Sequence, residues 1–235
     1  MKFTSHYILI LAALSLGLAS CKKDNMEAPS STLNGRLTYN GEEIGLEFGK
    51  VSYELYQSGF GKTGAMGSTF AQDGTYSSLL FDGNYKLIIP KSQGPFMWRD
   101  NAAGGRDTLA VTVSGNQTLD LQVVPYYLIR NAAYTVAGRV VTANFSIDKI
   151  ITDANAKNIE KVFLFVNKTQ FVSGTNYNIA NAELLPVAIT NPASVSMNVT
   201  VPAITPVQNY VFARVAIQIA GIEDLIFSPL QKVQL

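Results

Sequence analysis

Residues 73–90 read Asp73-Gly74-Thr75-Tyr76-Ser77-Ser78-Leu79-Leu80-Phe81-Asp82-Gly83-Asn84-Tyr85-Lys86-Leu87-Ile88-Ile89-Pro90. Two turn signals, Asp73-Gly74 and Asp82-Gly83-Asn84, bound a short run from Tyr76 to Phe81 and lead into a second one. Asp, Asn and Gly accept the positive φ of tight turns, and runs this short suit strands rather than helices. A chain built from such units is all-β.

The same grammar extends outward. Upstream, Leu33, Gly35, Leu37 and Tyr39 fall on one face of an alternating run that ends at the hairpin dipeptide Asn40-Gly41. Residues 51–56 alternate again. Downstream, residues 108–113 and 118–123 read as two strands split by Ser114-Gly115-Asn116. This is about seven strands within roughly ninety residues, the density of a small β-sandwich. Val124-Pro125-Tyr126-Tyr127 then breaks the rhythm. A second series follows: a long strand over 134–147, the continuous apolar run 161–166, and strands over 195–201, 209–219 and 225–229. Residues 153–160 are the one stretch that suits a brief helix. The expected architecture is two β-sandwich domains in tandem, residues 33–125 and 126–235, with their boundary near 125–131. The halves show no internal repeat.

The N-terminus has a different character. Lys2 precedes an apolar run from Tyr7 to Leu18 that is shorter than the roughly 20 residues needed to cross a bilayer. A charged start, a short apolar core and small residues before a cut form the secretory signal pattern. Leu18-Ala19-Ser20-Cys21 resembles the lipobox of bacterial lipoproteins. That resemblance implies removal of residues 1–20 as a signal peptide and lipid attachment at Cys21, so the membrane is a partner through the N-terminal lipid. Each buried methylene of such chains contributes ~0.8 kcal/mol of anchoring. Residues 21–32 are polar, lack periodicity and read as a flexible tether. Its Lys22-Lys23-Asp24 start looks like the export tag of surface lipoproteins in the Bacteroidota. The expected location is therefore the outer membrane, lipid-anchored and facing the cell surface, with a periplasmic orientation as the alternative.

The chain carries 18 basic and 17 acidic residues, and loss of Lys2 with the signal balances them. Nothing in this suggests nucleic-acid binding. The single histidine, His6, leaves with the signal, and the single cysteine, Cys21, is consumed by lipid. The folded part then has neither imidazole nor thiol. This excludes Ser-His-Asp and Cys-His catalysis, His/Cys zinc sites and disulfides. No cofactor, no metal site and no catalytic residue is expected.

Two groups of motifs resemble one family. In the first half they are Leu33-Asn34-Gly35-Arg36-Leu37, Asp73-Gly74-Thr75-Tyr76, Leu80-Phe81-Asp82-Gly83-Asn84-Tyr85 and Val123-Val124-Pro125-Tyr126. In the second half they are residues 156–169 with Phe171-Val172, and Tyr210-Val211-Phe212-Ala213-Arg214-Val215. Together they resemble a Bacteroidota lipoprotein family of unknown function, encoded beside starch-utilisation-type glycan importers. The resemblance implies a carboxypeptidase-regulatory, transthyretin-like first half and an immunoglobulin- or fibronectin-like second half. It brings no agreed catalytic or binding residues.

One loop stands out as a candidate site. Residues 91–106 form a long connection that holds the sole tryptophan, Trp98, with Phe96, Met97, Arg99, Asp100 and Asn101. Aromatic faces stack on sugar C–H surfaces, and Arg, Asp and Asn meet hydroxyls. Phe96, Trp98, Arg99, Asp100 and Asn101 are thus candidate ligand-binding residues. The competing reading has Phe96 and Trp98 capping the sandwich core. The glycine-rich loop 57–67 lacks the order of a phosphate loop. Asp73, Asp82 and Asp153 suit turns better than calcium, since no loop has an EF-hand pattern. Tyr126-Tyr127 suits domain packing, and Asp107-Thr108-Leu109 resembles a short O-glycosylation acceptor motif at Thr108.

The expected function is non-catalytic: an accessory glycan-binding lipoprotein of a polysaccharide uptake system. The alternative is an adaptor that docks on importer subunits without binding sugar. A glycoside hydrolase would need two carboxylates ~5–9.5 Å apart in a cleft, for which small sandwiches are poor hosts.

Overall fold

The computed structural model describes residues 27–59 and 64–235. The expected signal peptide, the expected lipid-attachment residue Cys21 and residues 22–26 of the expected tether lie outside the described residues, as do residues 60–63 of the glycine-rich loop.

The first half contains β1 (Ser31–Tyr39), β2 (Glu42–Glu43), β3 (Gly45–Leu46), β4 (Ser52–Gln57), β5 (Met66–Thr69), β6 (Thr75–Leu80), β7 (Gly83–Ile88), β8 (Phe96–Met97), β9 (Leu109–Val113), β10 (Gln117–Thr118), β11 (Leu121–Gln122) and β12 (Val124–Pro125). β1 begins inside the stretch read as tether, because Ser31 and Thr32 already pair with Leu80 and Leu79. In the first sheet β1 is central, antiparallel to β6 and β2 and parallel to β10 and β11. The second sheet runs β5-β4-β7-β9, all antiparallel. Leu33, Leu37, Tyr53, Leu55, Phe70, Tyr76, Leu87 and Leu121 fill the space between them. The rings of Tyr53, Phe70 and Tyr76 pack at centroid distances of 4.9, 5.1 and 5.7 Å. The β1–β2 hairpin turns on Asn40 (φ 51°) and Gly41 (φ 83°), as the dipeptide requires.

The run 118–123 is not one strand. It breaks at Leu119-Asp120 and bulges over Gly35, where an added Cβ would lie 1.9 Å from the Leu119 carbonyl oxygen. The backbone N–H of Leu119 donates to Asn34 O (2.7 Å), Tyr76 Oη donates to Leu119 O (2.7 Å), and Arg36 N–H donates to Asp120 Oδ1 (3.1 Å). The bulge stays satisfied, and Leu119 never enters the ladder.

The second half contains β13 (Tyr127–Ala137), β14 (Val140–Lys149), β15 (Ile159–Asn167), β16 (Ala180–Leu184), a 3-10 turn (Pro186–Ala188), β17 (Val195–Thr200), β18 (Tyr210–Ile219), β19 (Ile226–Phe227) and β20 (Gln231–Gln234). One sheet runs β13-β14-β17; the other runs β16-β15-β18, with β19 and β20 both on β18. The expected long strand over 134–147 is corrected to a hairpin. Gly138 (φ 61°) turns the chain so that Ala137 faces Val140 across β13 and β14. The expected helix over 153–160 does not form. The Asp153 carboxylate takes the Asn155 N–H (2.8 Å), its carbonyl takes the Ala156 N–H (2.9 Å), and the resulting turn leads directly into β15. The apolar run 161–166 is covered on both faces: Val162, Leu164 and Val166 enter the main core, and Phe165 joins Val172, Ala216 and Phe227.

The two halves share a sheet. β19 pairs with β3 of the first half, placing Ile226 opposite Leu46 and Phe227 opposite Gly45. Arg214 of β18 locks this seam. It is 1% exposed, and its guanidinium donates to Ser228 O (2.9 Å), Leu46 O (2.8 Å) and Gln72 O (3.0 Å) while lying 4.4 Å from the Phe227 ring centroid. Two of its acceptors belong to the first half, so one side chain of the second half satisfies the backbone of both.

Candidate functional site

The loop 91–106 is tightly built and offers no sugar platform. Phe96 is 2% exposed and Trp98 7%, both within the main core. Phe96 is further covered by Gly94, whose φ of 84° lets the chain turn over the ring. The Asn101 carboxamide works inside the loop: Oδ1 accepts from Ala103 N–H and Gly105 N–H (3.0 Å each), and Nδ2 donates to Arg106 O (3.2 Å). Asp100 pairs with Arg106 (3.2 Å) and Arg99 with Asp107 (3.4 Å). Arg106, whose side chain is 7% exposed, also donates to Trp98 O (3.2 Å) and Lys91 O (3.4 Å). Of the candidate set, Phe96 and Trp98 are buried as in the core-capping reading and do not form an exposed stacking surface, while Arg99, Asp100 and Asn101 are exposed with polar groups engaged inside the loop. Trp98 and Arg99 do border a groove of about 530 Å³ with Tyr39, Gln122, Ile150 and Asp153, into which the indole shows only a small part of its surface.

The remaining sequence candidates fall in structural places. Tyr126 and Tyr127 are buried at the junction, where Tyr127 Oη donates to Lys157 O (2.7 Å). Asp73 accepts from Thr75 N–H and Oγ1, and Asp82 accepts from Ser31 Oγ and Gly115 N–H. These bonds hold the Asp73 and Asp82 carboxyls below the usual range, although for Asp73 its own burial works hardest in the other direction. No cluster of three metal-ligating side chains occurs among the described residues. Thr108 is exposed, with its N–H on Asp107 Oδ1 (2.8 Å).

A different surface has the features that the loop lacks. Phe48, Phe171 and Tyr177 form an aromatic triad, with ring centroids 4.6 Å (Phe48–Phe171), 5.8 Å (Phe48–Tyr177) and 5.9 Å (Phe171–Tyr177) apart. Phe48 is 37% exposed and Tyr177 38%, well above the buried aromatics of the cores. Phe48 sits on a tight turn whose Gly49 has φ 69°. Phe171 and Tyr177 sit on the β15–β16 connection, which two asparagines brace. Asn167 Nδ2 donates to Thr169 Oγ1 (3.1 Å) and Phe171 O (2.5 Å), and Asn178 Nδ2 donates to Ser173 O (3.1 Å) and Gly174 O (3.0 Å). Rings held this way need little ordering when a ligand arrives.

Beside the triad lies a cleft of about 320 Å³, inside the ~300–1,000 Å³ range of small-ligand sites. Phe163 and Phe165, stacked at 5.1 Å and 15°, supply its apolar wall. Glu47, Lys50, Thr175, Asn181, Gln218 and Asp224 supply polar groups. Both halves contribute. Glu47 Oε1 of the first half accepts from Gly174 N–H (3.1 Å) and Thr175 Oγ1 (3.4 Å) of the second; Asp224 Oδ2 accepts from Gly94 N–H (2.7 Å) in return. Burial raises the Asp224 carboxyl above its ordinary value, and the Gly94 bond pulls the other way. Sequence reading missed this site because its members come from six separate stretches. The one available signal was the odd polarity of 167–178, an Asn/Ser/Thr-rich connection carrying two aromatic rings.

Comparison with known proteins fits this architecture. Residues 31–124 match the family model described as the protein of unknown function DUF3823 N-terminal domain, and residues 127–232 match its C-terminal companion domain. A solved DUF3823 protein from Parabacteroides merdae is 30% identical, with a TM-score of 0.75 over 88% of this chain and 100% of its own. One from Bacteroides ovatus is 29% identical, with the same coverage and TM-score. A Bacteroides uniformis protein described as a candidate carbohydrate binding protein has the same fold at 17% identity and a TM-score of 0.66, over 88% of this chain and 100% of its own. No curated protein matches the chain. The two consecutive domain matches span nearly all of the described residues, and the chain belongs to the DUF3823 family.

Proposed function

We propose that this protein is a non-catalytic, lipid-anchored protein of the outer-membrane surface that captures saccharide for a polysaccharide uptake system. The observation that carries the reading is the exposed Phe48/Phe171/Tyr177 triad beside a polar cleft with a phenyl wall. Sugar rings are amphipathic, with apolar C–H faces and a rim of hydroxyls, and this surface pairs aromatic faces with hydrogen-bonding groups. The Bacteroides uniformis relative's description points the same way, although its 17% identity extends only to fold. The lipobox-like residues at Cys21 and the polar tether support the location.

Isothermal titration of the protein in detergent against plant, host and microbial polysaccharides tests this. Saturable binding to at least one is expected, with Tyr177→Ala weakening it about tenfold, the worth of one stacked ring. Absence of binding across all three groups rejects the reading.

The adaptor reading has its own observation: Leu185 and Val187, on the 3-10 turn after β16, are 53% and 87% exposed. Co-purification of the lipidated protein with importer subunits, unaffected by Tyr177→Ala and without glycan affinity, selects that reading.

A further inference from the structure

The cleft beside the aromatic triad has a strong charge bias. Glu47, Glu183, Glu223 and Asp224 line it, and Lys50 is the one ammonium among its lining residues. Lys161 pairs with Glu183 from outside that lining (3.0 Å) and offsets one of these charges. Glu47 and Asp224 are each 6% exposed, so few water molecules solvate them. Each spends one oxygen on the inter-domain hydrogen bonds described above. Among the described residues, the second oxygens, Glu47 Oε2 and Asp224 Oδ1, have no hydrogen-bond donor, yet neither is sealed from solvent. They are acceptors in a cleft that Phe163 and Phe165 also line.

Resting on the saccharide-binding reading, we infer that this cleft ranks saccharides by charge, with amine-bearing units above neutral ones and uronates rejected. The physical reason is acceptor excess. An ammonium brings three N–H donors and a positive charge to two under-solvated carboxylates. A neutral sugar hydroxyl brings one donor and no charge. A uronate brings a like charge into a site where water screens poorly, which is the arrangement that costs most. The stacked phenyl wall serves all three equally, so charge alone sets the order.

The test starts from the saccharide that the glycan panel selects. Its binding to the full protein is compared with that of its C6-oxidised, uronate-bearing derivative and its amine-substituted derivative. At low ionic strength, oxidation is expected to weaken binding roughly tenfold or more, and amination to strengthen it. Near 1 M salt, where the screening length falls to about 3 Å, the three affinities converge. Glu223→Gln, which removes one negative charge from the cleft lining with little change of shape, narrows the spread between the three ligands. A panel whose best ligand is itself a uronate, or an oxidised derivative that binds as well as its parent, overturns the ranking and leaves saccharide binding standing. A panel with no binder removes both.

Discussion

Replacing Arg214 with methionine tests how the two halves are joined. The guanidinium supplies hydrogen bonds to three buried carbonyls, Ser228 O, Leu46 O and Gln72 O, and no carboxylate pairs with it among the described residues. Methionine fills similar volume but donates nothing. Gln72 O keeps the Leu46 N–H (3.0 Å), so Ser228 O and Leu46 O lose the most; at about 1–3 kcal/mol each they give roughly 2–6 kcal/mol. Against this, the variant no longer buries a charge, a penalty of several kcal/mol. That penalty is real here, since burial pushes the guanidinium down to about 9. The balance is a net loss of about 1–3 kcal/mol, or a melting point lowered by roughly 2–12 °C. Urea unfolding followed through Trp98, the sole tryptophan, reports on the first half at the junction. Circular dichroism reports on both halves. The variant should lose stability, and the two signals should separate, because Leu46 and Gln72 belong to the first half and Ser228 to the second. Arg214→Lys should recover only part of the loss, since an ammonium lacks the planar fork that reaches three carbonyls. A midpoint within about 0.5 kcal/mol of the parent, with coincident transitions, would refute the idea that this side chain holds the seam.

Three further outcomes follow from the geometry and a fourth from the lipobox-like sequence. Gly35→Ala places a Cβ against the Leu119 carbonyl, so it should cost at least ~3 kcal/mol in chemical denaturation, through overpacking and loss of the bulge bonds. Asn101→Ala should lower the unfolding midpoint by about 1–2 kcal/mol and leave glycan titrations unchanged, since the carboxamide serves the loop. Asp224→Asn should stabilise the protein at neutral pH. The folded carboxyl is raised, so the folded state holds its proton to higher pH than the unfolded one, and stability falls as pH rises through the folded value; the advantage of Asn should vanish once pH drops below the ordinary value of 3.8, as thermal melts across pH will show. Cys21→Ser should move the protein from the membrane fraction to the soluble fraction on ultracentrifugation.

Much of the fold was legible because turn chemistry is local. Asn40-Gly41 makes its hairpin, and Val195, Met197, Val199 and Val201 point inward as their alternation requires. Local signals misled where a strand pattern continued through a bend. Gly138 sits in an alternating run, and nothing nearby says that its φ is positive. Residues 118–123 alternate well, but their break comes from packing over Gly35, more than eighty residues upstream in the chain. The candidate loop misled in a similar way. Its composition suits a sugar site, yet Phe96 and Trp98 are buried and Arg106 and Asp107 pair with Asp100 and Arg99, and a sequence does not show which partners a side chain will choose.

By itself the sequence determined the class of structure, its division into two strand-rich halves and the absence of imidazole and thiol chemistry after residue 21, since periodicity, turn residues and inventory are properties of neighbours and counts. Only the tertiary structure decided where the proposed ligand surface lies. Phe48 stacks with Phe171 and Tyr177, and Glu47 lines one cleft with Phe163 and Asp224, because β3 pairs with β19 and Glu47 reaches Gly174 across the domain seam. Such contacts depend on how two folded sheets pack, and no local pattern encodes that.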